Sequence, residues 1–158
     1  MYKLLTSALL LATLSAGAQN KKTLDSIDEV IIKQVIEPAA QQGGDGDPAW
    51  AMIGEKIKAS YSENDAERAI NKAQIYYYFG KDWPKFCSAL VRYTEKYEDK
   101  NDAKLMNKNA QFILQHSENP AEWKVAQNWI AGATAKDPTN AIYKATADGL
   151  AAKMASAK

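Results

Sequence analysis

DWPKFCSALVRYTEKY, residues 82–97, is the stretch whose reading decides the fold. Trp83, Phe86, Cys87, Leu90, Thr94 and Tyr97 recur at steps of three and four, and polar residues fill the positions between them. Successive residues of an α-helix turn by about 100°, so these side chains share one helical face. Asp82 stands just ahead of the stripe and Pro84 just inside it. An Asp carboxylate accepts hydrogen bonds from the first unpartnered backbone N–H groups, and Pro is tolerated where no N–H is needed. The stretch therefore predicts a capped helix with one apolar side.

The same grammar repeats on both sides of it. Asp47-Pro48, Asn119-Pro120 and Asp137-Pro138 each precede an apolar-periodic run and read as helix starts, as do Ser62 and Asp102. The stripes are Trp50, Ile53, Ile57 and Tyr61; Ala66, Ala69, Ile70, Ala73, Tyr76 and Gly80; Met106, Ala110, Ile113, Leu114 and Ser117; Ala126, Ile130 and Ala133, flanked by Trp123 and Trp129; and Tyr143, Ala147, Leu150 and Met154. An earlier helix spans Leu24 to Glu37 with the stripe Leu24, Ile27, Ile31 and Val35, ending near Pro38. No run alternates as a strand would. The fold class is therefore all-α, with about seven amphipathic helices packed as antiparallel pairs. QQGGDGD, residues 41–47, reads as the one flexible linker, after the first helix. Ala and Gly on the inward faces allow close helix approach. Helix pairs starting at Ser62 and Asp82, then at Asp102 and Asn119, recur at roughly the 35–40 residues of helix-pair repeats.

The N-terminal residues carry a different signal. Lys3 is the only charge before Lys21, Leu4 to Leu14 is an apolar core, and Ala16-Gly17-Ala18 is a small-residue cleavage site. That is the layout of a secretory signal peptide over residues 1–18, cut after Ala18, with a single domain over 19–158. The apolar run is shorter than the ~20 residues that span a bilayer. The expectation is a periplasmic or secreted protein with no membrane attachment after cleavage. Lys plus Arg numbers 20 and Asp plus Glu 19; losing Lys3 brings the mature net charge to about zero. A balanced chain lacks the basic face that a nucleic-acid partner requires.

Few residues suggest chemistry. Cys87 is the only cysteine, so no internal disulfide forms; on its stripe it reads as a buried thiol, with an intermolecular disulfide as the alternative. His116 is the only histidine and lacks the further ligands that zinc needs or the oriented partner that a nucleophile needs; near a helix end, its cation would favour the dipole. Asp45-Gly46-Asp47 hints at a calcium loop, but the closing position holds Lys56, next to Glu55, and Asp47 as a helix cap explains the same residues. No catalytic residue, metal site or cofactor is expected. Eight of the fourteen aromatics beyond Ala18 fall between Tyr76 and Tyr97, four of them consecutive at Tyr76-Tyr77-Tyr78-Phe79. Tyr76, Phe86 and Tyr97 are expected in the core. Four successive residues cannot all face inward, so Tyr78 or Tyr77 is expected to be partly exposed and to serve either helix packing or binding.

The segment Asn109 to Thr139 resembles a degenerate tetratricopeptide (TPR) repeat: Ala110 lies in its first helix, and Ala126, Ile130, Ala133 and Asp137-Pro138 follow the spacing of its second. Ala69 to Tyr97 matches more weakly through Ala73, Tyr76 and Gly80, with Phe86 where the family prefers Ala. DPTNAIYKATADGLAAKM, residues 137–154, resembles the helix after a last repeat. Ala126, Trp129, Asp137-Pro138, Tyr143, Thr146, Leu150 and Lys153 are also similar to the helical tail of exported bacterial thioredoxin-family proteins, but no C-x-x-C pair or thioredoxin domain precedes them. Trp83-Pro84-Lys85-Phe86-Cys87 shares letters with a thioredoxin active site and, lacking its second cysteine, reads as core. The TPR resemblance implies a groove lined by Gln74, Tyr77, Tyr78, Gln111 and Gln115, whose amides and phenols suit an extended peptide or a polar ligand. The expected function is a non-enzymatic interaction or scaffold module with a protein or peptide partner. The alternatives are an accessory to a separate thioredoxin-like protein and a small-molecule carrier that uses the aromatic cluster.

Overall fold

A computed structural model describes residues 24–42 and 46–157. The expected export segment 1–18, and Asp45 of the acidic loop, lie outside them. Among the described residues there are seven helices and no strand, which makes the protein all-α. We number them α1 (24–42), α2 (Trp50–Lys58), α3 (Glu63–Tyr78), α4 (Trp83–Tyr97), α5 (Ala103–His116), α6 (Pro120–Lys136) and α7 (Ala141–Ser156). The described residues divide into two compact units, the first ending at Ile70 and the second beginning at Asn71, with the division inside α3.

Side chains make most of the helix starts. Ser62 Oγ accepts from Asp65 N at 3.1 Å and donates back to Asp65 Oδ2 at 2.6 Å. Asp82 and Asp102 each accept at 3.0 Å from the N–H three residues on, and Asn119 accepts at 3.0 Å from Ala121. Each such cap contributes about 1 kcal/mol. Two Asp-Pro pairs correct the sequence reading. Asp47 does not cap α2: Ala49 holds that position without a side-chain bond, and Trp50 N–H bonds to Pro48 O. Asp137 ends α6, and α7 starts three residues later at Asn140, whose Oδ1 accepts from both Ile142 and Tyr143. The Asp137 carboxylate instead holds the turn, accepting from Asn140 and Thr139, and those bonds keep its ionisation below the ordinary value.

In the first unit, α1 does not stop near Pro38. It runs to Gln42 through a π-helical stretch, Ile32–Ile36. A proline lacks an N–H and its ring crowds the preceding turn, so a widened turn ahead of it lets the helix continue. The extra residue also shifts the buried face. Ile31 is followed inward by Ile36 and not by the expected Val35. The π stretch packs against α2, and Ile53, Ile57, Ala66 and Ala69 are buried. Gly54 lies close under Ile70, where an added Cβ would come within 3.1 Å of Ile70 Cδ1. Arg68 of α3 donates through Nε to Asp28 of α1 at 2.9 Å, and both side chains are almost fully buried.

In the second unit each helix from α4 onward packs on the next, and α4 also reaches α6 while α5 reaches α7. Buried polar bonds fix this order. Asn109 donates to Thr94 of α4 and Thr146 of α7 donates to Asn107, both at 2.9 Å. Asn107 and Asn109 point to nearly opposite sides of α5, which therefore lies between α4 and α7. Trp129 of α6 donates to Glu95 of α4 at 2.7 Å. Lys153 of α7 closes the C-terminal end of α5, donating to the carbonyls of Leu114 and Ser117 at 3.2 and 2.7 Å. A cation there complements the negative end of the helix dipole.

Candidate functional site

The aromatic stretch occupies the turn between α3 and α4. Gly80, at φ +73°, adopts the left-handed conformation that ends α3, and the Tyr78 carbonyl accepts from the N–H groups of Lys81 and Asp82 at 2.9 and 3.0 Å. Gly80 is thus a helix stop, exposed, and not part of the inward stripe assigned to it from sequence. The four consecutive aromatics also differ from the expectation. Tyr76 is 69% exposed and Phe79 53%, whereas Tyr78 is 5% exposed and Tyr77 half-buried. The cause lies further back on α3. Arg68, Asn71 and Tyr78 lie three and seven residues apart on one face, and all three are buried. The polar letters of Arg68 and Asn71 concealed that second inward face.

Phe79, Trp83, Phe86 and Phe112 form an edge-to-face cluster with ring centroids 5.4 to 6.0 Å apart. Phe112 lay outside the stripe read for α5, and its half-buried ring joins that helix to the α3–α4 turn. His116, the last residue of α5, stacks flat on Trp83 at 3.5 Å and 8°. The helix-end position was legible; the stacking partner was not. Cys87 lies fully buried beneath α4. Burial, and then the Glu122 carboxylate, pushes its ionisation up to about 12 against the opposing pull of Lys153. A thiol so placed is neither a nucleophile nor positioned to bridge to a second chain.

Of the residues expected to line a groove, Gln74, Tyr77 and Tyr78 come together on the last turns of α3, while Gln111 and Gln115 stand on α5, half-buried and exposed. Tyr77 and Tyr78 meet edge-on at 5.2 Å. The Tyr78 ring is buried, so of these two rings only Tyr77 reaches the surface. Lys81 lies 4.3 Å over the Tyr77 ring and Lys85 5.3 Å over that of Tyr78, so positive charge rims the aromatic patch. Gln74 Oε1 accepts from Arg92 Nη2 at 2.9 Å; the same guanidinium donates to Asn71 Oδ1 at 3.0 Å and Ser88 Oγ at 2.8 Å. Sequence reading passed over Arg92, a single charge on the polar side of α4. The arrangement places exposed aromatic surface, amide groups and cations together at one hairpin. Among the described residues no three His, Cys, Asp or Glu side chains are grouped to hold a metal ion, and no helix is long and apolar enough to cross a membrane. Compared with known protein families, curated proteins and solved structures, the chain matches none.

Proposed function

We propose that the chain is an exported, non-enzymatic interaction module that binds an extended stretch of a partner protein through the α3–α4 hairpin. The observation that carries this reading is the pair Tyr76, in the last turn of α3, and Phe79, just beyond it, both more than half exposed. Large aromatics left at the surface beside polar groups are a common mark of a binding site. The TPR-like reading is supported by the packing order in the second unit, where helices touch the next two along the chain as stacked helix pairs do. Export is supported by the composition of residues 1–18. The buried Cys87 thiol supports a role without redox or nucleophilic chemistry.

The test is capture of partners from the exported-protein fraction by wild type and by Tyr76→Ser. Tyr76 is 69% exposed, so the substitution should leave the melting transition within about 0.5 kcal/mol of wild type. Loss of specific partners at unchanged stability is the expected outcome. An identical set of captured partners would overturn the assignment of this surface.

A further inference from the structure

Arg92 differs from the other cations of the second unit in how it is held. Nε, Nη1 and Nη2 each donate one hydrogen bond, to Asn71, Ser88 and Gln74. A guanidinium has five N–H donors, one on Nε and two on each terminal nitrogen. Two therefore remain, one on each terminal nitrogen, and a carboxylate accepts such a pair where the two lie side by side. The three groups that hold Arg92 are two amides and a hydroxyl, all neutral, so they fix the guanidinium without cancelling its charge. Exposed arginines are ordinarily mobile, and ordering one is part of the cost of binding through it. Here the protein has ordered it already, and Arg92 remains exposed.

The surroundings point the same way. Ser88 and Arg92 are four residues apart on α4, and Lys85 precedes Ser88 by three, so these positions share one side of the helix. Lys81 and Lys85, over the Tyr77 and Tyr78 rings, continue the positive rim towards the exposed Tyr76 and Phe79. Asp82 lies 3.3 Å from Lys85 and offsets that charge, so Lys81 and Arg92 carry the positive surface on this side.

We infer that Arg92, pre-positioned by Asn71, Gln74 and Ser88, is the anchor for an Asp or Glu side chain within the partner's extended segment. The inference rests on the interaction-module reading and names the chemistry of its partner. The partner segment is acidic and lies along the α3–α4 hairpin, with its carboxylate on the two remaining N–H groups of Arg92. Binding by this route weakens as salt rises, because the rim is solvent-accessible.

Random peptides displayed on phage, fused at their C-termini to the coat protein, test this because they carry no terminal carboxylate. Selection on the purified protein should enrich sequences with Asp or Glu. The selected sequences, resynthesised as C-terminal amides, should bind about tenfold or more weakly to Arg92→Gln, as expected for loss of a charge-assisted hydrogen-bond pair. Changing the peptide's acid to its amide should produce the same loss. Gln74→Glu keeps Arg92 and occupies it from within, so it should lose binding to the same extent; it decides the matter if Arg92→Gln does not fold. Binders without acidic residues, or affinities unchanged in Gln74→Glu, would overturn the anchor and leave the module reading standing. Failure of wild type to enrich any peptide would overturn both.

Discussion

Replacing Arg68 by Met should be among the most damaging single changes in the first unit. Its Nε lies 2.9 Å from Asp28 Oδ1, and the two side chains are 6% and 1% exposed. Nη2 also lies 3.1 Å from Asp65 Oδ1, but without the alignment of a hydrogen bond, and Asp65 is 23% exposed. That second contact is the weaker, because solvent screens it. Arg68→Met keeps most of the side-chain volume and takes a cationic partner away from a carboxylate sealed from water. Breaking a buried pair in this way costs about 3–5 kcal/mol, a third or more of the stability of an ordinary domain. With a urea slope of about 1–3 kcal/mol per molar, the unfolding midpoint should fall by roughly 1–5 M. The double change Asp28→Leu with Arg68→Met removes both charges and should recover most of that loss, since an apolar pair of similar volume is neutral or better in such sites. Urea titration followed by circular dichroism at 222 nm measures all three proteins. If the double variant is as unstable as the single one, packing and not charge explains the cost, and the reasoning is refuted.

Four further outcomes follow from the same structure. The Cys87 thiol, pushed up to about 12 from near 9.0 by burial, should not react with a disulfide reagent at about pH 8 until denaturant is added. The native chain keeps a proton that the unfolded chain releases above pH 9.0, so the thiol's contribution to stability is present below that pH and is lost as pH rises towards 12, which alkaline melting curves would record. Thr146→Val removes the donor to Asn107 Oδ1 and should cost about 1–3 kcal/mol in urea unfolding, well above the effect of an exposed Thr→Val change. Gly132→Ala and Gly149→Ala make a matched pair. An added Cβ meets nothing within 4 Å at Gly132, so helix propensity should raise stability by about 0.5–1 kcal/mol; at Gly149 it meets Leu114 Cδ2 at 2.8 Å, so that side chain must shift and the gain should be smaller.

Helix existence was legible because three-and-four spacing is a property of each segment alone. The stripes of α4, α5 and α6 bury Phe86, Leu90, Ile113, Ala126 and Ile130 as their spacing requires. Phase was legible only where the helix stays α throughout. In α1 the π stretch adds a residue, and the buried position moves from Val35 to Ile36. Caps were legible where Asp or Asn directly precedes the stripe, as at Asp82, Asp102 and Asn119. They were not where proline sits inside a longer turn, as at Asp137, because the same carboxylate can hold either a helix or a turn.

The candidate site was harder to read for a different reason. A recognition surface depends on which residues of two helices meet, and periodicity within one helix carries no information about its neighbour. Gln74 was found through its place in a repeat pattern, yet its Oε1 is taken up by Arg92, eighteen residues on. Asn71 looks like a surface residue in the sequence and is buried as another of the supports of that guanidinium. Tyr78, one of the two rings of which at least one was expected to be partly exposed, is buried on the same face of α3 as Asn71, while Tyr76 lies at the surface. Polar side chains that satisfy one another across a helix pair thus invert the usual reading of their letters. The burial of Asn71 and the exposure of Tyr76 have one origin: α3 carries two inward faces. The polar one fixes Arg92, and fixing it leaves a charge ordered at the surface that its neutral supports do not offset.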